Sequence, residues 1–238
     1  MSIDIQIWSD VACPWCFIGK RRFEKALAQF PERDQVNVTW RSFQLDPTLP
    51  EHSDRDEIDY LVETKGMPRA AVEQMIGQVK VQAAGEGLDY DFDSLIVANS
   101  RRAHRVLQAA KKADAVDGGD RADALKEALL SAHFEKGGDI GDADQLVALG
   151  IAAGLDEQTA RAALDSTELD EAIEADIREA AAIGVRGVPF FVIDNKYGVS
   201  GAQPPELFLQ ALNTALAEQK PSLITLDGAG EACGPDGC

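Results

Sequence analysis

Two cysteines, Cys13 and Cys16, stand where a predicted strand ends and a predicted helix begins, with Pro14 and Trp15 between them. Proline is favoured at the first helical position, because its missing N–H would have no partner there. The start of a helix carries free N–H donors and a partial positive charge, which favour the thiolate, the reactive form of cysteine. Since Cys13 lies at the exposed end of this helix and Cys16 one turn inside, we predict a dithiol–disulfide exchange in which Cys13 attacks and Cys16 resolves.

A second pair, Cys233 and Cys238, encloses the sequence Gly-Pro-Asp-Gly, which is typical of a tight turn. Such a turn brings the residues outside it close enough to form a disulfide. A loop this short adds only about 2 kcal/mol of stability, so a redox role explains the pair at least as well as a structural one. We expect a second redox pair that exchanges electrons with Cys13 and Cys16, with a surface clip or a disordered end as the alternative.

Zinc binding is the other chemistry open to these cysteines. The two pairs lie at opposite ends of the chain, and zinc knuckles normally occupy β-turns and not the start of a helix. His52, His104 and His133 are scattered and show no metal-ligand spacing. We therefore predict no metal and no bound cofactor, and keep a non-catalytic zinc-binding or chaperone-like module as an alternative.

The elements that must position Cys13 form a β-α-β unit. Isoleucines at alternate positions over residues 3–8 indicate a half-buried strand, the helix follows to about residue 30, and alternation returns over residues 36–45. Residues 47–184 show helical spacing throughout, including a predicted helix over residues 94–113. A hairpin and a last helix then end the folded part.

This pattern predicts an α/β fold interrupted by helices. Residues 1–46 and 185–219 form one α/β domain, residues 47–184 an all-helical insertion, and residues 220–238 a tail that holds the second cysteine pair. The helices are amphipathic, so they must pack on one another and on the α/β domain.

Composition excludes several classes of function. Asp and Glu outnumber Lys and Arg by 41 to 23, giving a formal charge of -18, which repels nucleic acids and anionic membranes. No stretch approaches the ~20 apolar residues of a membrane span. The first residues have no pattern of a secretory signal, and four cysteines are too few for a secreted disulfide scaffold. We expect a cytoplasmic protein with no nucleic-acid or membrane partner.

Several short motifs occur in a fixed order: SDVACPWC at 9–16, IGK at 18–20, FQLDP at 43–47, AHR at 103–105, GVPFFV at 187–192 and GVSGAQ at 198–203. Together they resemble the DsbA-like branch of the thioredoxin fold, and within it the FrnE-like cytoplasmic subgroup of thiol–disulfide oxidoreductases. The resemblance covers about residues 3–218. The tail pair lies outside the common fold, although FrnE-like proteins can carry one.

The resemblance implies that the Val188–Pro189 bond is a cis peptide beside the active cysteines, and that the backbone of Val188 pairs with an extended substrate. Pro14, Trp15, Val188 and Pro189 are then the substrate-binding residues. Substrates would be thiol- or disulfide-bearing proteins or small molecules, with glutathione or the thioredoxin system as electron partner.

A related activity is the alternative. Glutathione-dependent 2-hydroxychromene-2-carboxylate isomerases share the architecture but carry serine where Cys13 stands, so a complete pair of cysteines counts against this activity.

Overall fold

A computed structural model describes residues 2–219 and contains a four-stranded mixed sheet. The strands are β1 (Ile3–Ser9), β2 (Val36–Ser42), β3 (Phe190–Ile193) and β4 (Tyr197–Ser200), in the order β2-β1-β3-β4. β1 pairs in parallel with β2, whereas β3 is antiparallel to both β1 and β4. The predicted alternation in β1 holds from Ile3 to Ile7 but ends there, because Trp8 is buried as well.

Two helices cover the sheet and carry the aromatic core of the α/β domain. The first is α1 (Pro14–Gln29) and the last is α9 (Pro205–Gln219). Phe23 of α1 lies 5.6 Å from Phe191 of β3 and 5.7 Å from Phe208 of α9, measured between ring centroids. Aromatic pairs at such distances add stability beyond the area they bury.

Seven helices lie between β2 and β3 in the described chain: α2 (Glu57–Lys65), α3 (Arg69–Gly85), α4 (Arg101–Asp117), α5 (Arg121–Glu135), α6 (Ala143–Ala152), α7 (Glu157–Ala163) and α8 (Thr167–Ala182). Several begin at a residue whose side chain caps the helix. Asp142, for example, caps α6 by accepting a hydrogen bond from the Gln145 backbone N–H.

The helical insertion is anchored on the start of α1. Tyr90 stacks on Phe134 of α5 at 4.9 Å and on Phe17 of α1 at 6.2 Å. Its hydroxyl donates a hydrogen bond to the carbonyl oxygen of Pro14 at 2.6 Å. The first turn of α1, which carries both cysteines, is therefore held by the insertion as well as by the sheet.

The predicted fold class, a thioredoxin-type sheet with a large helical insertion, is confirmed. The boundaries of the two parts and of the tail stay predictions, and residues 220–238 lie outside the described chain. The helix expected over residues 94–113 was wrong at its start, since α4 begins at Arg101. None of the helices in residues 2–219 has the length and apolar character needed to cross a membrane.

Candidate active site

Cys13 and Cys16 occupy the first turn of α1. Cys13 is the N-cap residue with extended backbone angles, Pro14 is the first helical residue, and the Cys16 N–H donates to the Cys13 carbonyl at 3.0 Å. Both residues carry free thiols. Cys13 is 4% exposed and Cys16 1%. The sequence predicted the pair correctly at the start of α1, but Cys13, expected at the exposed end of the helix, is buried because the loop that carries Val188 packs against it.

The loop before β3 lies against Cys13. The Val188–Pro189 peptide bond is cis, and the Cys13 thiol donates to the Val188 carbonyl oxygen at 3.5 Å. Pro189 is buried against α1, where a Cβ at Gly19 would lie 2.8 Å from its Cγ. The absence of a side chain at Gly19 is what lets this loop approach the cysteines.

Asp10 places a buried negative charge next to the pair. Its carboxylate lies 3.1 Å from Nε2 of His104 and accepts hydrogen bonds from the backbone N–H groups of Ala12 and Leu45. Burial works against ionisation, but the hydrogen bonds and the interaction with His104 outweigh it and lower the pKa of Asp10. Burial lowers the pKa of His104, so that imidazole is neutral.

The two thiols form one coupled system. Hydrogen bonding to Cys16, burial and the charges of Cys16 and Asp10 raise the pKa of Cys13 well above its usual range. Burial also opposes a thiolate on Cys16, but the Cys13 hydrogen bond, the positive charge of Lys126 and the Ser9 hydroxyl lower its pKa. Burial and the charges of Cys16 and Asp10 therefore oppose the stabilisation that the start of α1 offers to a Cys13 thiolate.

Lys126 is a functional candidate that the sequence analysis missed. It lies on α5, is only 1% exposed, and has its Nζ 5.6 Å from the centroid of the Trp40 ring. Burial lowers its pKa, and it takes part in no ion pair within residues 2–219. A signal existed, because Lys126 follows Ala122 by four residues and precedes Leu129 by three, on the buried stripe of the helix.

A cavity of about 380 Å³ opens beside Cys13, between the insertion and the α/β domain. Pro14, Trp15 and Val188 line it, together with side chains of α2 and α3. Trp15 is 37% exposed, which leaves its ring accessible to a bound molecule. The structure therefore brings together Cys13 and three of the four predicted substrate-binding residues around one opening, with Pro189 packed behind it.

Other predicted site residues have different positions. His104 is hydrogen-bonded in the interior, and His52 pairs with Asp139 at the surface. Within the described chain, no cluster of three or more His, Cys, Asp or Glu side chains could hold a metal ion. Cys233 and Cys238 lie outside the described residues, so their exchange with Cys13 stays a prediction.

Comparison with known proteins gives a consistent result. Residues 4–213 match the family described as the DSBA-like thioredoxin domain. A probable DsbA oxidoreductase from Streptomyces coelicolor is 42% identical, with a TM-score of 0.84, over 99% of this chain and 98% of its own.

Two more distant structures share the fold. The cytosolic disulfide reductase DsbM from Pseudomonas aeruginosa, in its structure with GSH, is 19% identical, with a TM-score of 0.62 over 90% of this chain and 99% of its own. A 2-hydroxychromene-2-carboxylate isomerase is 14% identical, with a TM-score of 0.63 over 91% of this chain and 97% of its own. Identities this low show a common architecture only.

Proposed function

The chain belongs to the DsbA-like thioredoxin-domain family, and on that premise we propose that it is a thiol–disulfide oxidoreductase with Cys13 as nucleophile and Cys16 as resolving thiol. One observation carries the assignment of roles: both cysteines are buried, but Cys13 lines the cavity and contacts the Val188 carbonyl oxygen, whereas Cys16 is not among the cavity-lining residues of the described chain. Access decides which sulfur meets the substrate.

The charges around the pair support a sequence of steps. The Cys13 sulfur attacks as a thiolate on one substrate sulfur, the substrate S–S bond breaks, and the first half leaves as a thiolate. Cys16, whose thiolate form Lys126 favours, then attacks the Cys13 sulfur. This closes the protein disulfide and releases the second half as a thiolate, and the two released thiolates take up protons from water. Two electrons pass from the dithiol to the substrate.

The substrate lies along the loop before β3. Pro189 has no N–H, and the adjacent backbone of Val188 is half-buried and faces Cys13, so an extended segment can pair with it as an added strand. Pro14 and Trp15 provide the apolar contact on the other side of the thiol.

The proposed electron donors depend on the cell compartment in which the protein acts. We propose a cytoplasmic site of action and a place in the FrnE-like subgroup, which the chain's few cysteines and its motifs support. Because a cytosolic thiol pool is reducing, reduction or isomerisation of disulfides is then favoured over net oxidation. Glutathione, which the DsbM structure contains, and the thioredoxin system are the proposed donors. Cys233 and Cys238 form a second redox pair that exchanges with Cys13 and Cys16.

A trapping experiment tests this function. Cys16→Ser should stall a mixed disulfide on Cys13, whereas Cys13→Ser should abolish insulin reduction and trapping together. The double variant Cys233→Ser, Cys238→Ser should slow turnover without preventing the first attack. Full insulin reduction by Cys13→Ser would overturn the assignment. Glutathione-dependent isomerisation without disulfide reduction would favour the isomerase, and stoichiometric zinc lost on oxidation would favour the zinc-binding module.

A further inference from the structure

The cavity beside Cys13 extends well beyond the sulfur. Its walls are mainly apolar and include Leu49, Leu61, Met75, Ile76, Val79 and Phe92. None of the nine residues of α2 is fully buried in the described structure, although this helix carries Ile58, Leu61 and Val62. The apolar side chains of α2 thus border an open space, not a packed core, and this space suits an apolar ligand group.

His133 is a cavity-lining residue with a polar atom left unpartnered by residues 2–219. The side chain comes from α5, is 3% exposed and lines the cavity. Its Nδ1 is buried and has no hydrogen-bond partner among the described residues. Burial lowers the pKa of His133 to about 4, so the ring is neutral near pH 7 and Nδ1 is free to serve as donor or acceptor. Buried polar atoms are normally paired, and a ligand atom in the cavity would supply the partner.

The charges along the cavity select against anionic ligands. Asp10, Asp46 and Glu57 line it, opposed by Lys65. Burial raises the pKa of Glu57 to about 7, so its charge varies near neutral pH, but Asp46 stays ionised because Thr48 and Tyr60 hydrogen-bond to it and lower its pKa. A ligand whose body fills the cavity and carries several carboxylates would meet like charge at this wall, whereas a thiol donor that reaches only Cys13 would not.

We propose that this cavity binds the uncharged, apolar body of a small-molecule disulfide, with one hydrogen-bonding atom on His133 Nδ1 and the disulfide sulfur at Cys13. This substrate class rests on the proposed function. In the reaction, Cys13 bonds to one ligand sulfur and the ligand S–S bond breaks. Cys16 then displaces the second half, so that one disulfide and one dithiol yield two small thiols and the Cys13–Cys16 disulfide.

Binding can be measured apart from chemistry. In full-length protein with all four cysteines changed to serine, no exchange can occur, and affinity is read by calorimetry. We expect the neutral 4,4′-dithiodipyridine to bind at least about tenfold more tightly than the dianionic 5,5′-dithiobis(2-nitrobenzoate), a difference of ~1.4 kcal/mol. Diphenyl disulfide has the same shape without the ring nitrogen, and it should bind about fivefold more weakly than the dipyridyl compound.

Two variants in this background locate the ligand. His133→Phe keeps the ring but removes Nδ1, and should make the dipyridyl and diphenyl compounds bind equally. Leu61→Trp fills the cavity and should abolish binding of both. Leu207→Trp on α9 is the matched control, because Leu207 is exposed and is not among the cavity-lining residues of the described chain. Circular dichroism reports whether each variant is folded.

The outcomes separate the two proposals. An affinity that is unchanged in Leu61→Trp, or that is higher for the dianionic disulfide, overturns the cavity assignment even where the wild-type protein reduces disulfides. Binding that follows the expected pattern, combined with no exchange between the reduced wild-type protein and 4,4′-dithiodipyridine, sustains the cavity and overturns the oxidoreductase function.

Discussion

The carboxylate of Asp10 lies 3.1 Å from Nε2 of His104, although the two residues are 94 positions apart in the chain. The contact joins the segment before α1 to helix α4 of the insertion. Both side chains are buried, and the hydrogen bonds that Asp10 accepts keep it ionised. The pair therefore maintains a negative charge close to Cys13, and this charge raises the pKa of the thiol.

Asp10→Asn should make Cys13 more reactive at neutral pH. Loss of the charge lowers the pKa of Cys13 and so raises the thiolate fraction, while the nucleophilicity of each thiolate falls by less. The net expectation is about a threefold faster alkylation by iodoacetamide, measured in protein whose other three cysteines are serine.

Asp34→Asn is the control for this prediction, because Asp34 is almost fully exposed and its replacement changes the net charge equally. An alkylation rate unchanged in Asp10→Asn, or a lower one in a folded protein, would contradict the inferred action of Asp10 on Cys13.

Lys126→Met should raise the pKa of Cys16. The lysine is buried on α5 and its positive charge favours the Cys16 thiolate, so we expect the pKa of Cys16 to rise, as read from thiolate absorbance in protein with Cys16 as the sole cysteine. In Lys126→Met protein that keeps both Cys13 and Cys16, the mixed disulfide on Cys13 should accumulate for the same reason. Lys126→Arg keeps the charge and should restore the pKa.

Lys111→Met provides the comparison for Lys126, because Lys111 is partly buried but pairs with Asp176 on α8. The free energy of unfolding should not fall in Lys126→Met, since methionine fills a similar volume and burial already disfavours the ammonium ion. An unchanged Cys16 pKa would show that Lys126 has only a packing role.

The parts of the site that the sequence predicted are those encoded by local patterns. Alternating isoleucines specify β1, and Pro14 after Cys13 specifies the start of α1. The charges of Asp10 and Lys126 could not be placed in this way. Their effect on the thiols depends on contacts between the α/β domain and helices α4 and α5, about a hundred residues later in the chain.

The start of α4 illustrates the same limit. Periodicity favoured a helix from residue 94, but the side chain of Asn99 donates to the carbonyl oxygens of Pro47 and Leu49 and so holds this segment on the loop after β2. Its Oδ1 accepts from the Arg101 N–H, which satisfies one of the first donors of the helix. A tertiary contact thus displaced a boundary that local propensity placed earlier.

Gly19→Ala should damage the site through the loop that carries Pro189. A Cβ there would lie 2.8 Å from Cγ of Pro189, and a proline ring cannot rotate away. We expect a loss of about 1–3 kcal/mol in the free energy of unfolding by urea, with slower insulin reduction.

Gly77→Ala is the matched control, because a Cβ at Gly77 in α3 would meet no heavy atom within 4 Å in the described structure. Alanine should stabilise this helix by up to about 1 kcal/mol. Equal effects of the two substitutions would show that the packing of Pro189 on Gly19 is not tight.

His133 should make the protein less stable in mild acid. The unfolded chain protonates His133 below about pH 6.5, whereas the folded protein, with a pKa of about 4, does not. The unfolded state thus binds more protons between these values, so the free energy of unfolding falls as pH drops through this window, by about 2 kcal/mol at pH 5.

His133→Phe removes this part of the fall, which urea denaturation at about pH 7.5 and about pH 5 measures. Part of the fall in the free energy of unfolding remains in both proteins, because burial also lowers the pKa of His104. The comparison variant is His52→Gln, since the pKa of exposed His52 is raised by Asp139 and its loss cannot reduce the fall. A wild-type fall that persists in full in His133→Phe would mean that this imidazole is already protonated in the folded protein.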